Sequence, residues 1–362
     1  MPTAYEDGIF GMIPAKDWLD VGTRVTRQND PINILFGDLK TDNIVAEYET
    51  IAADRQIPVM AQFHGFDTET QESFRESFNI HRIEKGLIKA KIAQSERLRE
   101  LINRKGVRNS ELYDWVVRDG TRLADEVVTR TIAAKNELMA TGKVTVKENN
   151  LDLTIDYGVP AENTSFEIDP DGDVVSQIEQ IINRASANGV VINGILTSKQ
   201  VLSKIRKSTS VQKAINGVNG VGAIVKSSDF EDYLLSEYGI STIITNDLMY
   251  RVPDGTDSNG EPKTKKCRYY PSDKITFFSA DTNGKMGMGL WGDPPEATAG
   301  VDTNISGSEV SPYVTVTQWA ENDPKVTWTK ASALFVPVLY SPDSLYIATI
   351  KSTSQTVSTK KS

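Results

Sequence analysis

Asp169-Pro170-Asp171-Gly172-Asp173 is a stretch whose residue types could do chemistry, as an oxygen cage for calcium. An EF-hand loop needs oxygen ligands at positions one, three and five, glycine at six and a bidentate glutamate at twelve. Counted from Asp169, position six is Val174 and position twelve is Gln180. The pattern fails, and a turn feeding a helix N-terminus, where acids suit the dipole, accounts for the residues. Gly217-Val218-Asn219-Gly220-Val221-Gly222 is glycine-rich but lacks the dinucleotide spacing, and no helical pattern begins directly after it. It reads as a flexible connection between two helices. Gly142-Lys143 and Gly284-Lys285 lack the upstream glycine and the following Ser/Thr of a phosphate-binding loop. His64 and His81 have no cysteine or acidic cluster at metal-ligand spacing and no nucleophile with an orienting carboxylate. They read as solvated or interface residues. The basic runs Lys204 to Lys207 and Lys263 to Arg268 are short and hold no aromatic ladder for stacking bases, so they read as solvated faces. The second adjoins the loop Pro253 to Pro262, a place suited to contact with another subunit. No catalytic, cofactor-binding or metal residue is assigned.

Composition agrees with a chain that performs no chemistry. A length of 362 residues can bury two cores, or one core with extended appendages. Hydrophobic content of 39% with 25% charged residues is ordinary for a soluble protein. A formal net charge of -9 argues against gripping nucleic acid over a broad basic face. Cys267 is the only cysteine, which excludes an intrachain disulfide and favours a reducing compartment. Met1 to Trp18 has no basic n-region, so no signal peptide is expected. No apolar run approaches the ~20 residues of a membrane span.

The elements that would position any site come next. Residues 1–40 scatter Phe10, Met12, Ile13, Trp18 and Leu19 among prolines and glycines. Such a segment buries little against itself and should lie along another surface. Residues 44–63 alternate with the period of strands, Gly65 to Glu69 forms a turn, and Ser73 to Ile80 runs back. A lone hairpin is marginal in water, so this projection needs a surface to lie on. The strongest helix is 109–140, with Val116, Leu123, Val127, Ala134 and Leu138 on a narrow stripe and Gly142 at its stop. At 1.5 Å per residue it should be roughly 45 Å long, packed on a single side.

Beyond it, Lys143 to Lys147 and Leu151 to Ile155 make a hairpin around Glu148-Asn149-Asn150. Residues 159–172 read as a linker and a domain boundary. Helices are expected at Val174 to Ala187, Ser198 to Lys207 and Asp229 to Tyr238, and a buried strand at Val190 to Leu196. Ile240 to Gly292 holds three strands rich in β-branched and aromatic residues. A second linker covers 293–311. Val314 to Thr317 pairs with Lys325 to Trp328, and Ala333 to Tyr340 pairs with Leu345 to Ile350. A Ser/Thr/Lys-rich tail follows from Ser352 to Ser362. Alternating helices and strands of this kind make an α/β or α+β domain.

Several of these segments carry a resemblance. Phe63 to Thr70, Ile83 to Ile88, Gly239 to Tyr250, Gly287 to Pro295, Trp328 to Val338 and Pro342 to Tyr346 resemble the major capsid proteins of tailed bacteriophages, in the lambda major head protein family. The resemblance implies the HK97-like fold, of the α+β class. It would comprise an N-terminal arm (1–40), an extended loop (41–83), a peripheral domain (84–158 and 305–333) with the spine helix, an axial domain (159–304 and 334–351), and a mobile tail (352–362). It implies a shell subunit, not an enzyme, needing no cofactor. Pentamers and hexamers would tile an icosahedral head around double-stranded DNA, touched non-specifically at the inner surface. Scaffold, portal and, in some shells, a decoration protein would be partners, with no membrane involved. The protein would be found in the virion after assembly in the host bacterial cytoplasm. Some relatives weld subunits by a Lys–Asn isopeptide bond beside a carboxylate; no such trio is assigned here. The alternatives are a nanocompartment shell of the same fold, enclosing a cargo enzyme, and a soluble α+β enzyme.

Overall fold

The spine helix forms as Asn109–Thr141. It ends where Gly142 takes φ 71°, a left-handed conformation that disfavours other residues. A Cβ on Gly142 would also meet Val159 at 2.8 Å, so both the backbone and the space select glycine. The computed structural model describes residues 30–50, 60, 79–94, 96, 109–148, 151–256, 262–298, 305–310, 313–323 and 325–351.

The first strands are β1 (Phe36–Lys40), β2 (Val45–Thr50), β3 (Asn79–Glu84), β4 (Gly86–Gln94), β5 (Lys143–Glu148), β6 (Leu151–Asp156), β7 (Phe166–Ile168) and β8 (Gly194–Thr197). They are followed by β9 (Thr242–Thr245), β10 (Met249–Thr256), β11 (Pro262–Arg268), β12 (Lys274–Phe278) and β13 (Gly287–Gly292). The last are β14 (Ile305–Val310), β15 (Val314–Asn322), β16 (Lys325–Leu339) and β17 (Leu345–Ile350). Helices Val174–Ala187, Lys199–Lys207, Thr209–Asn216 and Ser227–Tyr238 lie between β7 and β9.

Strand β16 organises a six-stranded sheet. It pairs with β4 on one edge and with β15, then β13, on the other. Strand β1 adds to β13 in parallel. A five-stranded sheet runs β7-β17-β12-β8-β9. Three separate hairpins, β2–β3, β5–β6 and β10–β11, complete the strands.

The spine helix packs between the two sheets. Leu345 and Ile347 of β17 and Phe278 of β12 face the helix core, which contains Leu123, Val127, Leu138 and Met139. Their neighbours Tyr346, Ala348, Ile275 and Phe277 face the opposite core, formed with the four later helices. A sheet covered on both faces needs apolar side chains at successive positions, and that is why β12 and β17 lack polar alternation. The end of the spine helix is tied to the same sheet. Lys274 donates to the carbonyl of Ala140 at 2.9 Å and Thr276 to that of Met139 at 2.8 Å, satisfying acceptors that a helix C-terminus leaves open.

The structure corrects several expectations. The helix is not packed on one side only, because Thr131, Lys135 and Asn136 are as buried as Leu138. Its second half is rich in alanine, and small side chains allow close approach all round. Residues 30–40 are no free arm: Ile32, Leu35 and Phe36 sit in the main core and β1 joins a sheet. Residues 1–29, the tip of the loop within 41–83 (51–59 and 61–78) and the tail 352–362 lie outside the described residues. The first linker, 159–172, contains edge strand β7, and the second, 293–311, contains β14. A further helix, Thr209–Asn216, follows the expected one at Ser198 to Lys207. Ala333 to Tyr340 does not pair with Leu345 to Ile350. Through Leu339 that run continues β16 against β13, while the turn Pro342–Ser344 delivers β17 to the other sheet. Residues 287–292 and 334–339, expected in the axial unit, therefore belong to the six-stranded sheet.

Candidate assembly interface

The extended hairpin begins where β1 ends and returns into β4. Val45 to Thr50 pairs with Asn79 to Glu84, and the chain then enters the six-stranded sheet at Gly86. The residue at this junction, Lys85, is 3% exposed. Its ammonium donates to the carbonyl and hydroxyl of Thr41, both at 2.7 Å, and to the carbonyl of Trp291 at 2.9 Å. All three N–H donors are thus used. Burial lowers the Lys85 pKa, and Asp42 and Asp293 partly offset it.

The hairpin root also contributes apolar surface. Ala46 is buried with Leu290, Val336 and Val338, and Tyr48 and Ile83 pack against the same group. Tyr48 and His81 stack at 5.3 Å, which gives His81 a packing role. The surface that the projection was expected to need is thus supplied, at the root, by its own chain. His64 lies outside the described residues.

Beneath the root, a second polar cluster joins distant segments. The Lys135 ammonium pairs with Asp38 at 2.9 Å, and the Trp291 indole donates to the same carboxylate at 2.8 Å. Burial lowers the Lys135 pKa while Asp38 raises it. Asp30 accepts from the Ile32 amide and from Asn246, whose amide also reaches Asn136 on the spine helix. Burial raises the Asp30 pKa, although these donors oppose it. Every member of such a cluster is expensive to leave unpaired, so the arrangement fixes how the N-terminal segment, spine helix and post-β9 loop meet.

A third cluster lies on the six-stranded sheet. Lys89 of β4 and Lys330 of β16 each approach Glu296 at 2.8 Å, and Ser332 donates to it at 3.2 Å. Burial alone would raise the carboxyl pKa, but the two ammonium groups hold it down to about 2.

None of these clusters has a chemical task visible in its geometry. Among the described residues, no three His, Cys, Asp or Glu side chains are grouped to hold a metal, and no helix is long and apolar enough to cross a membrane. Asp169 to Asp173 forms a turn, and Asp173 caps the helix Val174–Ala187 by accepting from Ser176. Gly217 to Gly222 forms a short 3-10 turn between helices, with Gly217 at φ 78°. Lys263 to Arg268 lies on β11 of a projecting hairpin. Sequence reasoning missed Lys85, Lys135, Asp38 and Glu296, because their partners are remote in the chain. The one available signal was the thinning of charge along residues 131–140 of the spine helix.

Comparison with known proteins gives these surfaces their meaning. No curated protein matches the chain significantly. A putative capsid protein of an Escherichia coli CFT073 prophage is similar in structure at TM-score 0.51 and 16% identity, covering 94% of this chain and 99% of that one. A phage-related protein from Bordetella bronchiseptica RB50 is similar at TM-score 0.51 and 10% identity, covering 94% and 98%. These likenesses show the α+β, HK97-like capsid fold. The family model described as phage major capsid protein E matches residues 36–350. The match makes the chain a structural head-shell protein of the virion that assembles with its own copies, and not an enzyme. The nanocompartment and soluble-enzyme alternatives are not favoured. By a match that spans well over half its length, the chain belongs to the phage major capsid protein E family.

Proposed function

We propose that this chain builds pentamers and hexamers that tile an icosahedral head around double-stranded DNA. The observation that carries the reading is the β2–β3 hairpin, whose root is fixed by Lys85 and a small apolar core. A two-stranded ribbon gains little stability alone, and a rigid root directs it toward a neighbouring copy. The six-stranded sheet with the spine helix serves as the peripheral unit. The five-stranded sheet with its four helices serves as the axial unit around which copies gather.

Scaffold and portal proteins, and a decoration protein in some shells, are the further partners, met in the host bacterial cytoplasm. Contact with the packaged DNA is non-specific and weak, in keeping with a net charge of -9. The experiment is nuclease treatment of particles purified from a packaging reaction, with DNA recovery and image classification. Protected DNA inside particles with five-fold and six-fold rings is expected. Particles lacking these rings would overturn the reading.

A further inference from the structure

The β10–β11 hairpin is exposed on both of its faces. Arg251 to Thr256 and Lys263 to Lys266 are all solvent-facing, and the hairpin pairs with neither large sheet. Its base is nonetheless fixed. Tyr250 and Tyr269 pack ring to ring at 4.7 Å, and Arg268 pairs with Asp247 at 3.3 Å. Above that base stand Arg251, Lys263, Lys265 and Lys266, with Asp254 the one acid among the hairpin's described residues, and among the described residues none of the four cations makes an ion pair.

The helix Ser227–Tyr238 has the opposite character. It carries Asp229, Glu231, Asp232 and Glu237, all exposed, and contains no lysine or arginine. It buries Phe230 and Leu234 inward, while Glu231 and Asp232 flank an outward Leu235 that is 51% exposed. The loop just before it adds Val218 and Ile224, at 79% and 91% exposure. An acidic surface with exposed apolar side chains is suited to contact with a basic protein surface.

The helix leads into one end of edge strand β9 and the hairpin leaves beyond the other. The two patches are therefore distinct and separately placed, as a head-to-tail ring contact requires. We propose that the β10–β11 hairpin of one copy docks on the acidic helix Ser227–Tyr238 of the next copy in the shell. This rests on the self-assembly reading above. A polynucleotide would satisfy the hairpin but leave the acidic helix without a partner.

The test uses the full chain under conditions where the wild type forms shells, which establishes assembly separately. One variant combines Lys263→Glu, Lys265→Glu and Lys266→Glu; a second combines Asp229→Lys, Glu231→Lys and Asp232→Lys; a third carries both sets. Each single set should lower the sedimenting shell fraction about tenfold or more, and the combined variant should recover most of it, since complementary charges set partner choice. Thermal melts confirm that the variants fold. Should a variant fail to fold, carbodiimide cross-linking of wild-type shells made from isotopically light and heavy subunits is decisive. Mixed-isotope cross-links between the Lys263–Lys266 and Asp229–Asp232 segments are expected. Undiminished assembly of both single sets, no recovery in the combined variant, or no mixed cross-link would overturn the proposal. Intact shells that lose only packaged DNA on hairpin reversal would assign the hairpin to polynucleotide and overturn it equally.

Discussion

The ammonium of Lys85 donates to the main-chain carbonyl of Trp291 at 2.9 Å, joining positions 206 residues apart. The same ammonium holds Thr41, so one side chain binds the departure of the extended hairpin to β13. Lys85→Met keeps the bulk and removes every donor. The Thr41 carbonyl then loses the ammonium, while the Trp291 carbonyl keeps the Thr41 amide at 2.9 Å, at a cost of roughly 1–3 kcal/mol, read as a lowered Tm of the unassembled subunit. An unchanged Tm would show that water replaces the ammonium without loss.

Leu123 is 4% exposed at the centre of the spine helix. Leu123→Asp places an unpaired charge in the main core and should cost on the order of several kcal/mol. Arg122 and Glu126 form an exposed pair at 3.3 Å on the same helix. Replacing either with alanine should change intrinsic stability by about 0.5 kcal/mol or less. Parallel thermal melts compare the two classes, and a wild-type melt for Leu123→Asp would remove the helix from the core.

Glu296 supplies a pH dependence with a defined sign. Its folded pKa, about 2, lies below its ordinary 4.5 because Lys330 and Lys89 oppose the effect of burial. The unfolded chain therefore binds the proton first, so the stabilisation is present above about 4.5 and is lost as pH falls toward 2. Glu296→Gln should be less stable at neutral pH and should flatten this part of the acid profile. Melts at several pH values check both, and curves parallel to wild type would contradict the assignment.

Much of this architecture was legible along the chain, where the signals are local. Leu123, Val127, Ala134 and Leu138 announce the spine helix, and Gly142 its end. Glu148-Asn149-Asn150 announces the hairpin of β5 and β6. What could not be read were pairings between distant segments. Ala333 to Tyr340 and Leu345 to Ile350 are apolar runs joined by a short turn, the local mark of a hairpin. Yet Tyr346 pairs with Phe277 and Val338 with Met288, because each run completes a different sheet. Lys85 and Lys135 look like ordinary surface lysines until Trp291 and Asp38 are placed beside them. Residues 30–40 look like an arm because β1 finds its partner, β13, about 250 positions later.

The root of the extended hairpin and its tip should behave differently on deletion. Removing residues 51–78 with a short glycine linker retains Ala46, Tyr48, Ile83 and Lys85, whose packing belongs to the body. That variant should melt near wild type yet form no shells. Removing Ile44 to Ile80 takes Ala46 and Tyr48 as well and should lower the Tm measurably. Equal melts for the two deletions would show that the root is not part of the core.

The central claim is that copies of this chain close into a shell. Electron microscopy of the purified full chain tests it most directly. Closed particles of uniform diameter are the predicted result. A species that stays strictly monomeric under every assembly condition would contradict the account.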